Sequence, residues 1–188
     1  RRCAGGLTAV ATAAAMGQGG MADVIIAGGA ESMSNVEYYT NGMRKGMRAG
    51  NSMLYDRLDR QRERSQPEER FGRISGMIET AENVARDYEI SRADADAYAA
   101  RSHQRAAAAW EAGLFADELV PVTVKTRKGK MIGDRDEGIR ADATAEIMGA
   151  LRPIIKDGVV TAGNASQQND AAAACLVVGL VLLGGVAL

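Results

Sequence analysis

The hydrophobic positions of this chain change their period several times, and each change predicts an element. Leu7, Val10, Ala11 and Ala14 recur at helical spacing, and Gly17, Gly19 and Gly20 predict the end of that helix. Asp23 then leads into Val24-Ile25-Ile26-Ala27, a short continuous apolar run expected of a strand buried on both faces, and Gly28-Gly29 predicts a break after it. From about residue 33 to 158 the chain is Met-rich and strongly charged, with little strand signal before Val120. Asp56 to Arg73, a dense mixture of charged residues and Gln around Pro67, reads as a solvated or subunit-facing loop, with a site for phosphate groups as the other reading. Thr80 through Tyr88 predicts a helix. Ser91-Arg92-Ala93-Asp94 opens another with a cap-like pattern, and Gly113 closes it after Trp110. Val120-Pro121-Val122-Thr123-Val124 alternates as an edge strand does, Lys125 to Lys130 reads as a basic turn, and Val159-Val160-Thr161 returns to strand character before a Gly163-Asn164 turn. The order is core, insertion, core, with expected boundaries 1–32, 33–158 and 159–188 and no internal repeat.

From Ala171 to Leu188 every residue is apolar or Gly, about the minimum length of a membrane-spanning helix. The alanine run, the glycines, and an Asn169-Asp170 flank without basic residues argue instead for a buried helix followed by a core strand cut short.

Composition narrows the function classes. At 188 residues and 46% hydrophobic, the chain can build a domain with a real core. A formal net charge of -1 and 4% aromatic residues give neither the basic surface nor the stacking platforms that nucleic-acid binding needs. Cys3 and Cys175 make no disulfide framework and no metal-ligand spacing, which fits a reducing cytosol. The charged opening residues do not read as a secretory signal.

Candidate chemistry starts at Cys3, in Arg2-Cys3-Ala4-Gly5-Gly6-Leu7, just ahead of the first predicted helix. A helix N-terminus carries unpaired N–H groups and a partial positive charge, so it stabilises a thiolate lying against it. Position alone leaves the alternative of a small buried hydrophobe open.

Arg2-Cys3-Ala4-Gly5-Gly6-Leu7, Val24 to Ser34 with Gly28-Gly29-Ala30-Glu31-Ser32-Met33, Thr80-Ala81-Glu82-Asn83-Val84-Ala85, and Val160-Thr161-Ala162-Gly163-Asn164-Ala165-Ser166 with Asn169-Asp170-Ala171-Ala172-Ala173 resemble the thiolase family in order and spacing. The resemblance runs from about residue 1 to about residue 178 and implies a central fragment lacking the C-terminal half. It implies an α/β fold, a thiolase-like layered α/β/α core with an inserted, mostly helical loop subdomain that covers coenzyme A. The implied activity is acyl transfer between CoA thioesters through an acyl-cysteine, in 3-oxoacyl-CoA cleavage or Claisen condensation.

By the same resemblance Cys3 is the nucleophile, Ser166 contacts the pantetheine arm, and Ala162 lines its channel. Arg140 lies near the adenine end, with Met77 and Leu151 as apolar contacts. No bound cofactor is implied; the small molecules are acyl-CoA and CoA, with no nucleic acid, no membrane, and a homodimer or homotetramer as the assembly. The family's base and second cysteine belong to Gly-His-Pro and Cys-x-Gly motifs of its C-terminal half; Gly-His-Pro does not occur here, and Cys-x-Gly occurs only as Cys3-Ala4-Gly5, at the nucleophile itself. His103 is therefore expected to be exposed and structural, Cys175 to lie in the core, and Glu31 to bond within the core. Three positions depart from the family pattern: Gly5 replaces a common Ser, Ile147 replaces a serine touching the nucleotide, and Gly76 stands where some thiolases have His. A noncatalytic CoA-binding or assembly module, and a membrane-anchored interaction protein, are the other readings.

Overall fold

The computed structural model describes residues 1–63, 65–72 and 74–179. The chain divides into two compact units, Arg1–Leu58 with the stretch from Gln168 onward, and Asp59–Gln167. The partition at 32 and 158 is one by role and remains a proposal.

In the first unit a single 3₁₀ turn, Arg2–Ala4, runs into helix α1, Gly5–Gln18. Gly20, in the left-handed region at φ 69, ends it. The N–H of Met21 then reaches the carbonyl of Met16, and that of Gly20 reaches Gly17, so the last carbonyls of the helix are satisfied. α1 packs against strands β1, Val24–Glu31, and β6, Ala171–Val178, which pair antiparallel from Val24 opposite Val178 to Glu31 opposite Ala171. Ile25, Ala27 and Val177 are the more covered residues of this ladder, while Ile26 is 74% and Leu176 66% exposed.

Three expectations are corrected here. Gly28-Gly29 does not break the strand: β1 runs through it, because a Cβ on Gly28 would lie 2.7 Å from the Ala173 carbonyl oxygen and 3.0 Å from the Ala174 Cβ. Glycine serves there as close approach between strands. Residues 171–178 form β6 and not a helix, since the ladder to β1 overrides the helix propensity of four alanines. The strand buried on both faces is also not found, since among β1 residues only Ala27 is fully buried. The rest of the apolar tail, 180–188, lies outside the described residues. Among those described, no helix is long and apolar enough to cross a membrane.

After β1, Ser34 donates its N–H to Asp170 Oδ1 at 2.8 Å. That bond and the Ser34 hydroxyl hold the Asp170 carboxyl below the usual carboxylate range. Strands β2, Tyr38–Tyr39, and β3, Tyr55–Asp56, close a small ladder with the Tyr39 and Tyr55 rings 5.8 Å apart. The region expected as a loop from Asp56 is partly helical, with α2 at Arg57–Glu63 and α3 at Glu68–Phe71. Asp56 accounts for the first: its Oδ1 accepts the N–H of Leu58 at 2.8 Å, satisfying a donor at the helix start.

The second unit is built on α4, Met77–Asp87, and α5, Arg92–Glu111. Glu79 accepts from the Gly76 N–H before α4, and Ser91 caps α5 by accepting from Asp94 N at 3.1 Å. Gly113, again left-handed, closes α5 as the sequence predicts. β4, Val122–Thr126, pairs with β5, Gly129–Gly133, in a hairpin, so the basic stretch is mostly strand and the turn shortens to Arg127-Lys128. α6, Ala145–Gly149, is capped by Thr144 and packs on α5 through Ala100, Ala143 and Met148. Val159-Val160-Thr161 is not a ladder strand. Thr161 makes one isolated bridge to Pro153, and the N–H groups of Val159 and Val160 go to a side chain instead.

α4 ends on Glu89 at φ 54, with the N–H of Ile90 bonded to the Ala85 carbonyl at 2.8 Å. Only Gly enters this region without a Cβ penalty, so Glu89→Gly is expected to stabilise by about 1 kcal/mol and raise the thermal midpoint by about 3 °C. A thermal melt in which the midpoint stays put or falls shows that no strain is stored there.

Candidate functional site

Cys3 lies inside the 3₁₀ turn that opens α1, between Arg2, at φ 52, and Ala4, whose N–H bonds back to the Arg1 carbonyl at 3.1 Å. No side chain caps either helical start, so the first N–H groups of α1 meet no side-chain oxygen. The thiol is free and exposed. Gly5 has ordinary helical angles, φ -59 and ψ -50, and open space around it, so its freedom is not what the turn uses and a serine would fit there. Cys175 is also free and exposed, which corrects its expected core placement: it sits on a two-stranded sheet. Glu31, at the end of β1, is exposed and not bonded into a core.

The other candidates belong to the second unit, where a buried carboxylate organises them. Asp96, on α5, is 2% exposed. Its Oδ2 accepts from Arg92 Nε at 2.6 Å, one helical turn earlier, and its Oδ1 accepts from Asn164 Nδ2 at 2.9 Å. Arg92 Nη2 also donates to the carbonyls of Met148, at 2.8 Å, and Leu151, at 2.9 Å. Asn164 Nδ2 further donates to the Val159 carbonyl at 2.9 Å, and Asn164 Oδ1 accepts the Thr161 N–H at 2.8 Å. Thr161 is fully buried, and its Oγ1 accepts the N–H groups of Gly163 and Asn164 at 3.2 and 3.3 Å. From α4, Glu82 accepts the N–H groups of Val159 and Val160 at 3.0 and 2.9 Å. The polar groups of residues 159–165 are thus largely satisfied within the protein.

Two glycines here lie close against side chains that a Cβ would displace. A Cβ on Gly163 would overlap Met148 Sδ and Leu151 Cδ1, and one on Gly158 would overlap the Glu82 carboxylate. On this braced turn Ala162 and Ser166 are exposed, and the Ser166 hydroxyl makes only a 3.3 Å bond to the Gln167 carbonyl. It is therefore open to a ligand. Leu151 is partly exposed where it packs over Gly163, and Met77 is the exposed first residue of α4, the helix that carries Glu82. Arg140 is exposed, and its backbone N–H donates to His103 Nδ1 at 3.2 Å. His103 is half-buried and not the exposed residue expected. Gln167, next to Ser166, donates to the Gly138 carbonyl at 3.0 Å and so ties the Arg140 segment to the turn.

Met77, Arg140, Leu151, Ala162 and Ser166 therefore lie on segments joined by one hydrogen-bonded frame, and Cys3 lies in the other unit. Sequence reading missed the frame, namely Asp96, Arg92 and the bracing roles of Glu82 and Asn164. The Arg92/Asp96 spacing of four on a predicted helix was the available signal. Among the described residues no group of three or more His, Cys, Asp or Glu side chains could hold a metal ion.

Comparison with known proteins shows the family and the fold. The family profile "Thiolase, N-terminal domain" matches residues 1–179. The chain is 47% identical over 179 residues to beta-ketothiolase BktB of Cupriavidus necator, covering 94% of this chain and 44% of that protein. Among solved structures, Bacillus anthracis acetyl-CoA acetyltransferase superposes with a TM-score of 0.83 at 38% identity, covering 97% of this chain and 45% of the other. Human mitochondrial 3-ketoacyl-CoA thiolase in complex with CoA gives 0.80 at 33% identity, with 97% and 44% coverage. The chain thus spans less than half the length of the relatives it matches, and its fold is the thiolase α/β fold.

Removing one partner of a buried, hydrogen-bonded ion pair costs about 3–5 kcal/mol, and the part-exposed Arg92 places this pair at the lower end. Asp96→Ala is therefore expected to lose about 3 kcal/mol in urea unfolding, and Asp96→Asn, which keeps one acceptor, about half as much. A loss below about 0.5 kcal/mol for Asp96→Ala, the scale of an ordinary surface substitution, contradicts the bracing role.

Proposed function

This chain belongs to the thiolase family, and we propose that it supplies the nucleophile and the coenzyme-covering part of an acyl-CoA C-acyltransferase. The observation that carries the reading is the free, exposed Cys3 thiol at the uncapped start of α1. A thiolate attacks a thioester carbonyl well, and the product thioester is nearly equal in energy to the one consumed. The Cys3 sulfur would bond to the acyl carbon, the carbon–sulfur bond to CoA would break, and CoA would leave as its thiolate to take up a proton. A second acyl-CoA, deprotonated next to its carbonyl, would then form the carbon–carbon bond and release Cys3. In reverse, free CoA would cleave a 3-oxoacyl-CoA.

Coenzyme binding falls to the second unit. Small, exposed Ala162 and the open hydroxyl of Ser166 suit a slender arm passing close to backbone, with Met77 and Leu151 as apolar contacts. Arg140 offers a planar cation to the nucleotide end, able to stack on adenine or pair with phosphate. The complex of the human relative with CoA supports this reading. A homodimer or homotetramer in the cytoplasm completes the proposal, with the exposed Met43, Met47 and Met53 as contact candidates.

A second reading, a noncatalytic CoA-binding or assembly module, is favoured by the second unit, whose hydrogen-bonded frame carries the coenzyme candidates while Cys3 belongs to the first. Intact mass after incubation with acetyl-CoA separates the two. The first predicts a gain of one acetyl group that Cys3→Ala abolishes and Cys175→Ala keeps. Bound CoA with no gain supports the module, and absence of both contradicts the CoA assignment altogether.

A further inference from the structure

The segment that carries Arg140 is strapped at three points by side chains that the proposed chemistry does not use. His103 and Gln104, consecutive on α5, hold two of them: His103 Nδ1 accepts the Arg140 N–H at 3.2 Å, and Gln104 Nε2 donates to the Ala143 carbonyl at 2.8 Å. Gln167 Nε2 holds the third, at the Gly138 carbonyl. Gly138 leaves room for the last strap: a Cβ there would lie 2.9 Å from that same Nε2, and the Gln167 side chain would have to shift. Elsewhere between 134 and 142 the residues are mostly exposed and belong to no helix or strand. Without the straps little would fix the backbone from which the Arg140 side chain projects.

The His103 bond is chemically specific. An imidazole nitrogen accepts only through its lone pair, so the ring must carry its proton on Nε2 while Nδ1 faces Arg140. The ring is half-buried, and its partner is the Arg140 backbone.

We propose that His103 is a positioning residue for coenzyme A: by accepting the Arg140 N–H it fixes the backbone from which the guanidinium meets the nucleotide end. This rests on the coenzyme reading above. The effect is one of preorganisation, since an Arg140 segment already ordered before binding spares the ligand that ordering cost.

Isothermal titration with coenzyme A itself, on the protein carrying His103→Ala or His103→Asn, tests this. An asparagine Oδ1 can stand where the imidazole Nδ1 accepts, so it serves as the conservative variant. Loss of one net hydrogen bond corresponds to about a fivefold rise in Kd for His103→Ala, with His103→Asn returning to within about twofold of the parent. The inference is overturned if His103→Ala binds as tightly as the parent, or if His103→Asn is as weak as His103→Ala. Should His103→Ala fail to fold, a folded His103→Asn that binds weakly overturns it equally. A parent protein that does not bind coenzyme A brings down the coenzyme reading first and this inference with it, an outcome distinct from the others.

Discussion

One buried carboxylate holds the candidate coenzyme site together. Asp96 is almost without solvent, and an unpaired charge there would cost several kcal/mol. It stands because Arg92 satisfies one oxygen and Asn164 the other. The same two partners reach outward, Arg92 to the carbonyls of Met148 and Leu151 and Asn164 to the backbone of Val159 and Thr161. A helix side chain thereby dictates the course of a turn far away in sequence. Replacing the pair with hydrocarbon could match its packing, yet only directional acceptors and donors fix which backbone groups meet.

The exposed chemistry depends on that frame. Ser166 and Ala162 can be small and uncommitted because their neighbours Thr161, Gly163 and Asn164 already satisfy the local backbone. Gly163 lets Met148 and Leu151 approach closely enough to close the turn from below. In the first unit a simpler device is at work, a thiol in a turn whose following helix has no side-chain cap. Under the proposed function, reactivity there would be asked of backbone N–H groups, and binding in the second unit of side chains held from behind.

Much of this was legible in the sequence, and for a common reason. α1, α4 and α5 announce themselves because periodicity, a cap at Ser91 and glycines at 20 and 113 are local signals that agree. Cys3 at a helix start was legible in the same way. What failed were places where a distant partner decides. Ala171–Ala174 look helical alone and form strand because β1 offers a ladder. Val159 and Val160 look like strand and instead give their N–H groups to Glu82. Asp96 is one acid among many in the sequence, and beyond its i,i+4 spacing to Arg92 only the three-dimensional meeting with Asn164 distinguishes it. His103 likewise gains its role from Arg140, 37 residues away.

Amide hydrogen exchange at Val160 and Thr161 in the ligand-free protein is the most direct measure of whether the turn exists before any coenzyme arrives. Both N–H groups are bonded inside, to Glu82 Oε1 and Asn164 Oδ1, in buried residues. A braced turn predicts exchange slowed by at least about 100-fold relative to an unstructured chain, with the protection lost in Asp96→Ala. Exchange at the unstructured rate in the parent protein would contradict the account, because the site would then have to be built by its ligand.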